Sequence, residues 1–229
     1  MDFPGSIAII PDGNRRFAEQ NGLALEQAYL QGFSKAEHVM DWLSATPVKS
    51  VKLWALSLEN FHKRSSIELS ILFELMKRQL RSGLKDERFD GRDFSIRFIG
   101  QVEKLPRDVQ SLMQELSERT QGAQRELCVA IAYSGRAELA HAAQKAAEDY
   151  KAGKIDNVDE VALSKYLYAS EPVDLVIRTG GVQRLSGFLP WQNAYAEVYF
   201  SQKMWPEFNK ADMDDALAFY DKTERRFGK

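Results

Sequence analysis

Two short polar blocks, one near each end of the 229-residue sequence, carry the residues best suited to chemistry. In the first, the apolar run Ile7-Ala8-Ile9-Ile10 leads through Pro11 into Asp12-Gly13-Asn14-Arg15-Arg16. In the second, Leu175-Val176-Ile177 leads into Arg178-Thr179-Gly180-Gly181, followed by Arg184, Ser186, Trp191-Gln192 and Glu197. Each places an apolar strand directly before a glycine-containing turn rich in cations and hydrogen-bond donors. Backbone N–H groups and guanidinium forks converge on phosphate oxygens in such arrangements. Each block also holds a carboxylate, Asp12 or Glu197, of the kind that shares a divalent cation with phosphate. The pair predicts two phosphorylated ligands meeting in one site.

Local chemistry sharpens the first block. Pro11 stops the strand ladder because it has no N–H to donate. Asp12 then falls at the carboxyl end of the strand, where open parallel sheets bind ligands. Gly13 and Asn14 tolerate the positive φ of a tight turn. Arg15 and Arg16 begin the following helix at its positive end, an unfavourable place for cations unless an anion intervenes. The structural alternative makes Asp12 a plain N-cap and leaves the arginines solvated. Neither GxGxxG nor GxxxxGK[ST] occurs, which removes the dinucleotide and P-loop readings. In the second block, Arg178, Arg184 and Ser186 form a cluster of donors that an anion would satisfy.

The rest of the sequence must position these blocks. With 44% hydrophobic residues, the chain can bury a substantial core as one domain, residues 1–229. A net charge of −2 with interspersed charges argues against a nucleic-acid partner. The single cysteine, Cys128, lies in an apolar run and reads as a buried hydrophobe. His38, His62 and His141 lack metal-ligand spacing. No segment approaches the roughly 18 apolar residues of a membrane span and no signal peptide precedes the first strand, so a cytoplasmic location is expected.

Strands are expected near Ile7–Ile10, Val51–Leu56, Phe94–Ile99, Leu127–Ala132, Leu175–Ile177 and Glu197–Phe200. Helical patterns fall near Arg15–Asn21, Glu26–Ser44, Ile67–Leu84, Arg107–Thr120, Arg136–Tyr150, Val158–Tyr168 and Met213–Arg225. That alternation predicts an α/β fold: a mostly parallel central sheet of about six strands with helices on both faces. Ser65 and Glu68 have capping-box spacing, and Gly83–Asp93 reads as a surface loop. On Ile67–Leu84, the residues Leu69, Leu72, Phe73, Met76 and Leu80 form one stripe, which Ile71 and Leu75 widen beyond the usual ~100°. Either the helix packs on two sides, or one edge lines an apolar substrate channel faced by Phe33, Met40 and Leu43. Trp191, Tyr195 and Phe200 read as core and dimer packing.

The stretch Ile7 to Ala18 resembles the opening signature of the cis-prenyltransferases, the undecaprenyl diphosphate synthase family. Further matches cover nearly the whole chain: Ser57-Leu58-Glu59-Asn60-Phe61, Tyr133-Ser134-Gly135-Arg136, the second polar block, and Arg226-Phe227-Gly228. The resemblance implies transfer of an allylic prenyl diphosphate onto isopentenyl diphosphate, with a cis double bond and loss of diphosphate. It implies Mg2+ on Asp12, joined by Glu197, with catalytic roles for Asp12, Asn14 and Asn60. Substrate binding is implied for Gly13, Arg15, Arg16, Phe17, Ser57, Glu59 and Arg64 around the allylic diphosphate. Arg178, Arg184 and Ser186 are implied for isopentenyl diphosphate, completed across a homodimer by Arg226 and Gly228. Release of a lipid product further implies peripheral contact with a membrane.

The departures from the family pattern are equally specific. Ser6 stands where many relatives have His, and Val182-Gln183 replaces a Glu-His pair. Leu25 and Tyr29 stand where an Arg and a His also grip the allylic diphosphate, and His62-Lys63-Arg64-Ser65 is one residue longer than the usual loop. The isopentenyl side is thus complete while the allylic side has lost donors, each worth ~1.5–3 kcal/mol. Leu25, Tyr29 and Pro190 resemble the lavandulyl-type synthases, a branch that couples prenyl units irregularly. The remaining alternative is a non-catalytic partner subunit, which the retained Asp12, Asn14 and Arg16 argue against.

Overall fold

The computed structural model describes residues 2–86 and 94–224. Its strands β1 (Ser6–Ile10), β2 (Ser50–Ser57), β3 (Phe94–Ile99), β4 (Arg125–Tyr133), β5 (Leu175–Arg178) and β6 (Glu197–Phe200) form one sheet of order β3-β4-β2-β1-β5-β6. Every pairing is parallel. All five residues of β1 are buried, as a central strand covered on both faces requires, which is why it reads as a continuous apolar run.

Among the described residues, eight α-helices cover the sheet: α1 (Asn14–Asn21), α2 (Leu25–Ser44), α3 (Leu58–Lys63), α4 (Ser66–Gly83), α5 (Arg107–Thr120), α6 (Gly135–Lys151), α7 (Glu160–Ser164) and α8 (Lys210–Lys222). On one face, Ile7, Ile9 and Val51 pack with Val39 and Leu43 of α2 and Met213 and Leu217 of α8. On the other, Ala8, Ile10 and Cys128 pack with Val173, Phe188 and Leu189. A third cluster joins Leu72, Leu75, Met76 and Leu80 of α4 to Met113 and Leu116 of α5.

The order of the strands decides where ligands can sit. From β1 the chain crosses to β2 on one side, whereas β5, paired to β1 on its other side, leads outward to β6. The carboxyl ends of β1 and β5 therefore flank a switch point, and Ile10 and Arg178 are register partners there. Beside it, the β2–β4 ladder shifts register between Trp54 and Ser57, an irregularity of the kind that re-aims side chains next to a site.

Several expected boundaries move for identifiable reasons. The helix expected over Val158–Tyr168 is only α7, because Asp159 caps its start and the Tyr168 and Ala169 N–H groups turn to Glu138 Oε1 (2.8 and 3.4 Å). The last helix begins at Lys210, where Asn209 Oδ1 accepts from the Ala211 and Asp212 N–H groups. Arg225 and residues 87–93 of the expected surface loop lie outside the described residues. Asn14 does not take a left-handed turn but opens α1 after Gly13. The short helix α3, capped by Ser57, and single 3-10 turns at Val102–Lys104 and Trp205–Glu207 carry too little periodicity to be expected. No helix among the described residues is long and apolar enough to cross a membrane.

Candidate active site

A cleft of about 780 Å3 opens above the carboxyl ends of β1, β2 and β5. The turn after β1 supplies its floor. Asp12 does not cap α1, whose N-cap is Gly13 with no side-chain bond. Instead its carboxylate faces two arginines: Arg178 Nη2 donates to Oδ2 (2.7 Å) and Arg16 Nη2 to Oδ1 (3.3 Å). Its backbone carbonyl is held by the Thr179 hydroxyl (2.8 Å) and the Trp205 N–H (3.0 Å). The indole of Trp205 donates in turn to Gly32 O on α2 (2.8 Å), so Asp12 is fixed from three elements.

The second block closes over the first. Arg178 is 4% exposed, and its Nη1 donates to Ser186 Oγ (2.9 Å) and to the Arg184 carbonyl. Arg16 Nη1 donates to Gly180 O (2.7 Å). Gly180 has φ +85°, and a Cβ there would stand 2.5 Å from Arg16 Nη2 and 3.0 Å from Asp12 O. Only glycine lets the two turns approach this closely. Gly13 serves the same end, since its φ is +113° and a Cβ would lie 2.8 Å from Met204 Cβ.

Arg15, Arg16, Lys63, Arg64, Arg178 and Arg184 line the cleft against Asp12, Glu19 and Glu59. A cationic cleft in a chain of net charge −2 is a local field suited to a polyanion. Asp12 alone among the expected metal ligands lies there. Two of its lone-pair directions meet arginines, and others remain for a cation that takes its further ligands from phosphate and water. One or two carboxylates plus substrate phosphates is how Mg2+ is usually held, so the donor set fits that ion.

Phe33, Ala36, Leu53, Ala55 and Met76 line both the cleft and a second, largely apolar cavity of about 610 Å3 between α2, α4 and the sheet. The wide stripe of α4 is thereby explained twice: the helix packs on α5 and also lines this channel through Met76 and Leu80. Phe33 and Met40 supply the facing wall as expected. Leu43 does not; it is wholly buried against the sheet with Val39.

Asp12, Gly13, Asn14, Arg15, Arg16, Ser57, Glu59, Asn60, Arg64, Arg178, Arg184 and Ser186 all line the one cleft. Three other expectations need correction or lie out of view. Glu197 opens β6 opposite Leu175 and donates its N–H to Asp174 O. That is the amino edge of the sheet, so within the chain it does not meet Asp12 at the carboxyl edge. Phe17 is not part of the cleft wall; its N–H closes the first turn of α1 on Gly13 O (2.8 Å). Arg226 and Gly228 lie outside the described residues. Residues missed from sequence include Glu19, Lys63, Trp54 and Trp205. Glu19 stands four places after Arg15 on α1, a legible helical spacing, whereas nothing local marks Trp205.

The Prenyltransf family model, that of the undecaprenyl diphosphate synthases, matches residues 10–228. The chain is 40% identical over 231 residues to a tritrans,polycis-undecaprenyl-diphosphate synthase (geranylgeranyl-diphosphate specific) of Sulfurisphaera tokodaii, spanning 99% of this chain and 88% of that protein. It is 42% identical to the protein of that name from Archaeoglobus fulgidus, over 93% of this chain and 87% of that one. Lavandulyl diphosphate synthase from Lavandula x intermedia, solved in complex with dimethylallyl diphosphate, superposes with a TM-score of 0.94 at 32% identity over 99% of both chains. A "probable undecaprenyl diphosphate synthase" from Campylobacter jejuni superposes with a TM-score of 0.82 at 30% identity over the whole of both. The cleft, the channel and these relatives lead to one conclusion: the chain belongs to the undecaprenyl diphosphate synthase family and is a cis-prenyltransferase that acts on prenyl diphosphates.

Proposed function

We propose that this cis-prenyltransferase extends an allylic diphosphate with a long hydrocarbon tail, such as geranylgeranyl diphosphate, by adding isopentenyl units. The observation that carries this reading is that the cationic cleft adjoins the apolar cavity, the two sharing Phe33, Ala36 and Met76 in their walls. A ligand spanning both buries an apolar tail while its diphosphate stays among arginines. The geranylgeranyl-diphosphate specificity in the names of the relatives from Sulfurisphaera tokodaii and Archaeoglobus fulgidus supports the same substrate class.

In this reading Asp12 would hold Mg2+, and Arg15, Arg16 and Arg64 are the further cations around the allylic diphosphate. When bound, the ion supplies electrostatic stabilisation of the departing diphosphate. Arg178, Arg184 and Ser186 hold isopentenyl diphosphate alongside. The allylic carbon–oxygen bond breaks with its electron pair going to diphosphate. The double bond of the isopentenyl unit forms the new carbon–carbon bond, and a proton leaves to regenerate an alkene. Diphosphate accepts that proton, oriented by Asn14 and Asn60 in the wall. The Asn14 side chain is held at the floor of the cleft by its Nδ2, which donates to Pro11 O (3.3 Å). Ser57 fixes Asn60 by accepting its N–H (3.0 Å). The reading includes a homodimer, in keeping with Tyr195, which is 87% exposed, and release of product at a membrane surface.

Irregular coupling is the second reading, and the lavandulyl synthase likeness at TM-score 0.94 is what favours it. Mass spectrometry of products separates the two. Geranylgeranyl diphosphate with isopentenyl diphosphate is expected to give a series growing by isopentenyl units. A branched product from dimethylallyl diphosphate alone, with no such series, would overturn the first reading.

A further inference from the structure

On its channel side the cleft holds Arg64 in contact with Tyr29 and Glu68, two residues that prenyl transfer leaves without a role. The Tyr29 hydroxyl of α2 donates to Glu68 Oε1 of α4 (2.7 Å). Arg64 Nε stands 3.1 Å from the same oxygen, an ion pair without hydrogen-bond alignment. The Arg64 guanidinium also lies 5.6 Å from the centroid of the Tyr29 ring, within cation–π range. Glu68 is itself pinned, since its N–H is accepted by Ser65 Oγ at the start of α4 (3.2 Å). Tyr29 is 5% exposed, and burial raises its pKa and keeps the phenol neutral.

Placement gives the trio a task. Arg64 and Tyr29 line the cleft beside Phe33, Leu72 and Met76, and Phe33 and Met76 continue into the channel. A substrate with its tail in that channel brings its diphosphate next to Arg64. The ion pair uses Nε and leaves the two Nη groups for an incoming anion. A free arginine would spread over many rotamers; one braced by a carboxylate and an aromatic face presents its fork in a single direction. Leu25 packs with the apolar residues around Tyr29 and Leu72, so it brings no charge of its own.

We propose that Tyr29 and Glu68 are positioning residues that aim Arg64 at the diphosphate of the tail-bearing, allylic substrate, and so set affinity for that substrate and not for isopentenyl diphosphate. The inference rests on the prenyl-transfer reading. Its test is steady-state kinetics of the full chain with geranylgeranyl and isopentenyl diphosphates. Tyr29→Phe keeps the ring and removes only the hydroxyl. It is expected to raise KM for the allylic substrate about three- to tenfold, the support of one hydrogen bond, with kcat and KM for isopentenyl diphosphate little changed. In an Arg64→Ala background the same change is expected to add nothing, because its effect runs through Arg64. An unchanged allylic KM, an equal rise in both KM values, or additive effects in the double variant would overturn the proposal. If Tyr29→Phe fails to fold, Glu68→Gln is read the same way. Asp12→Ala separates the layers: if that variant is inactive while Tyr29→Phe leaves the allylic KM untouched, the trio falls and prenyl transfer stands.

Discussion

At the scale of single residues, the cleft depends on how closely two turns approach. Arg178 is buried among Asp12, Ser186 and the Arg184 carbonyl, and Gly180 leaves room for Arg16 to reach the same carboxylate. Gly180→Ala is therefore expected to push Arg16 off Asp12. Steady-state assays should show kcat/KM down about tenfold or more, since small misplacements of positioning groups are costly. Urea unfolding should show a loss of roughly 1–2 kcal/mol from the left-handed backbone. Wild-type kinetics in Gly180→Ala would contradict this account of the turn.

At the scale of elements, α2 and α4 form the two sides of the channel, and Ala36 marks the place where it meets the cleft. Ala36→Phe is expected to obstruct the passage: the first condensations proceed, and mass spectrometry shows shorter products than wild type. An unchanged product distribution would show that the growing chain leaves by another route. These helices were legible in the sequence because their apolar residues recur at helical spacing over many turns. The strands were legible as apolar runs ended by Pro11 or by Arg178. Helix α7 was overestimated because the apolar pattern continues past Ser164, while the backbone is diverted to the buried carboxylate of Glu138. That carboxylate also accepts from Tyr133 and from Gln192 Nε2 (3.2 Å), and no local sequence signal announces a partner more than 25 residues away. Most cleft residues were readable from the two polar blocks and from the family resemblance. The Tyr29–Glu68–Arg64 trio was not, because it joins two helices through side chains whose meeting only tertiary packing determines.

At the scale of the molecule, the parallel sheet brings the two ends of the sequence together. Strand β5 lies beside β1 in register, so the turn after Ile10 and the turn after Ile177 share one edge. Crossovers leave that edge in opposite directions and open a crevice between them. Asp12 and Arg178, 166 positions apart, become hydrogen-bond partners at 2.7 Å, which brings the two turns proposed to hold the diphosphates into one crevice. The most direct test is incorporation of labelled isopentenyl diphosphate onto an allylic primer by wild type, Asp12→Ala and Arg178→Gln, with circular dichroism of each to establish folding. Both variants are predicted to stay folded and to lose at least about a hundredfold in rate; near-wild-type incorporation by either folded variant would contradict a shared cleft as the seat of prenyl transfer.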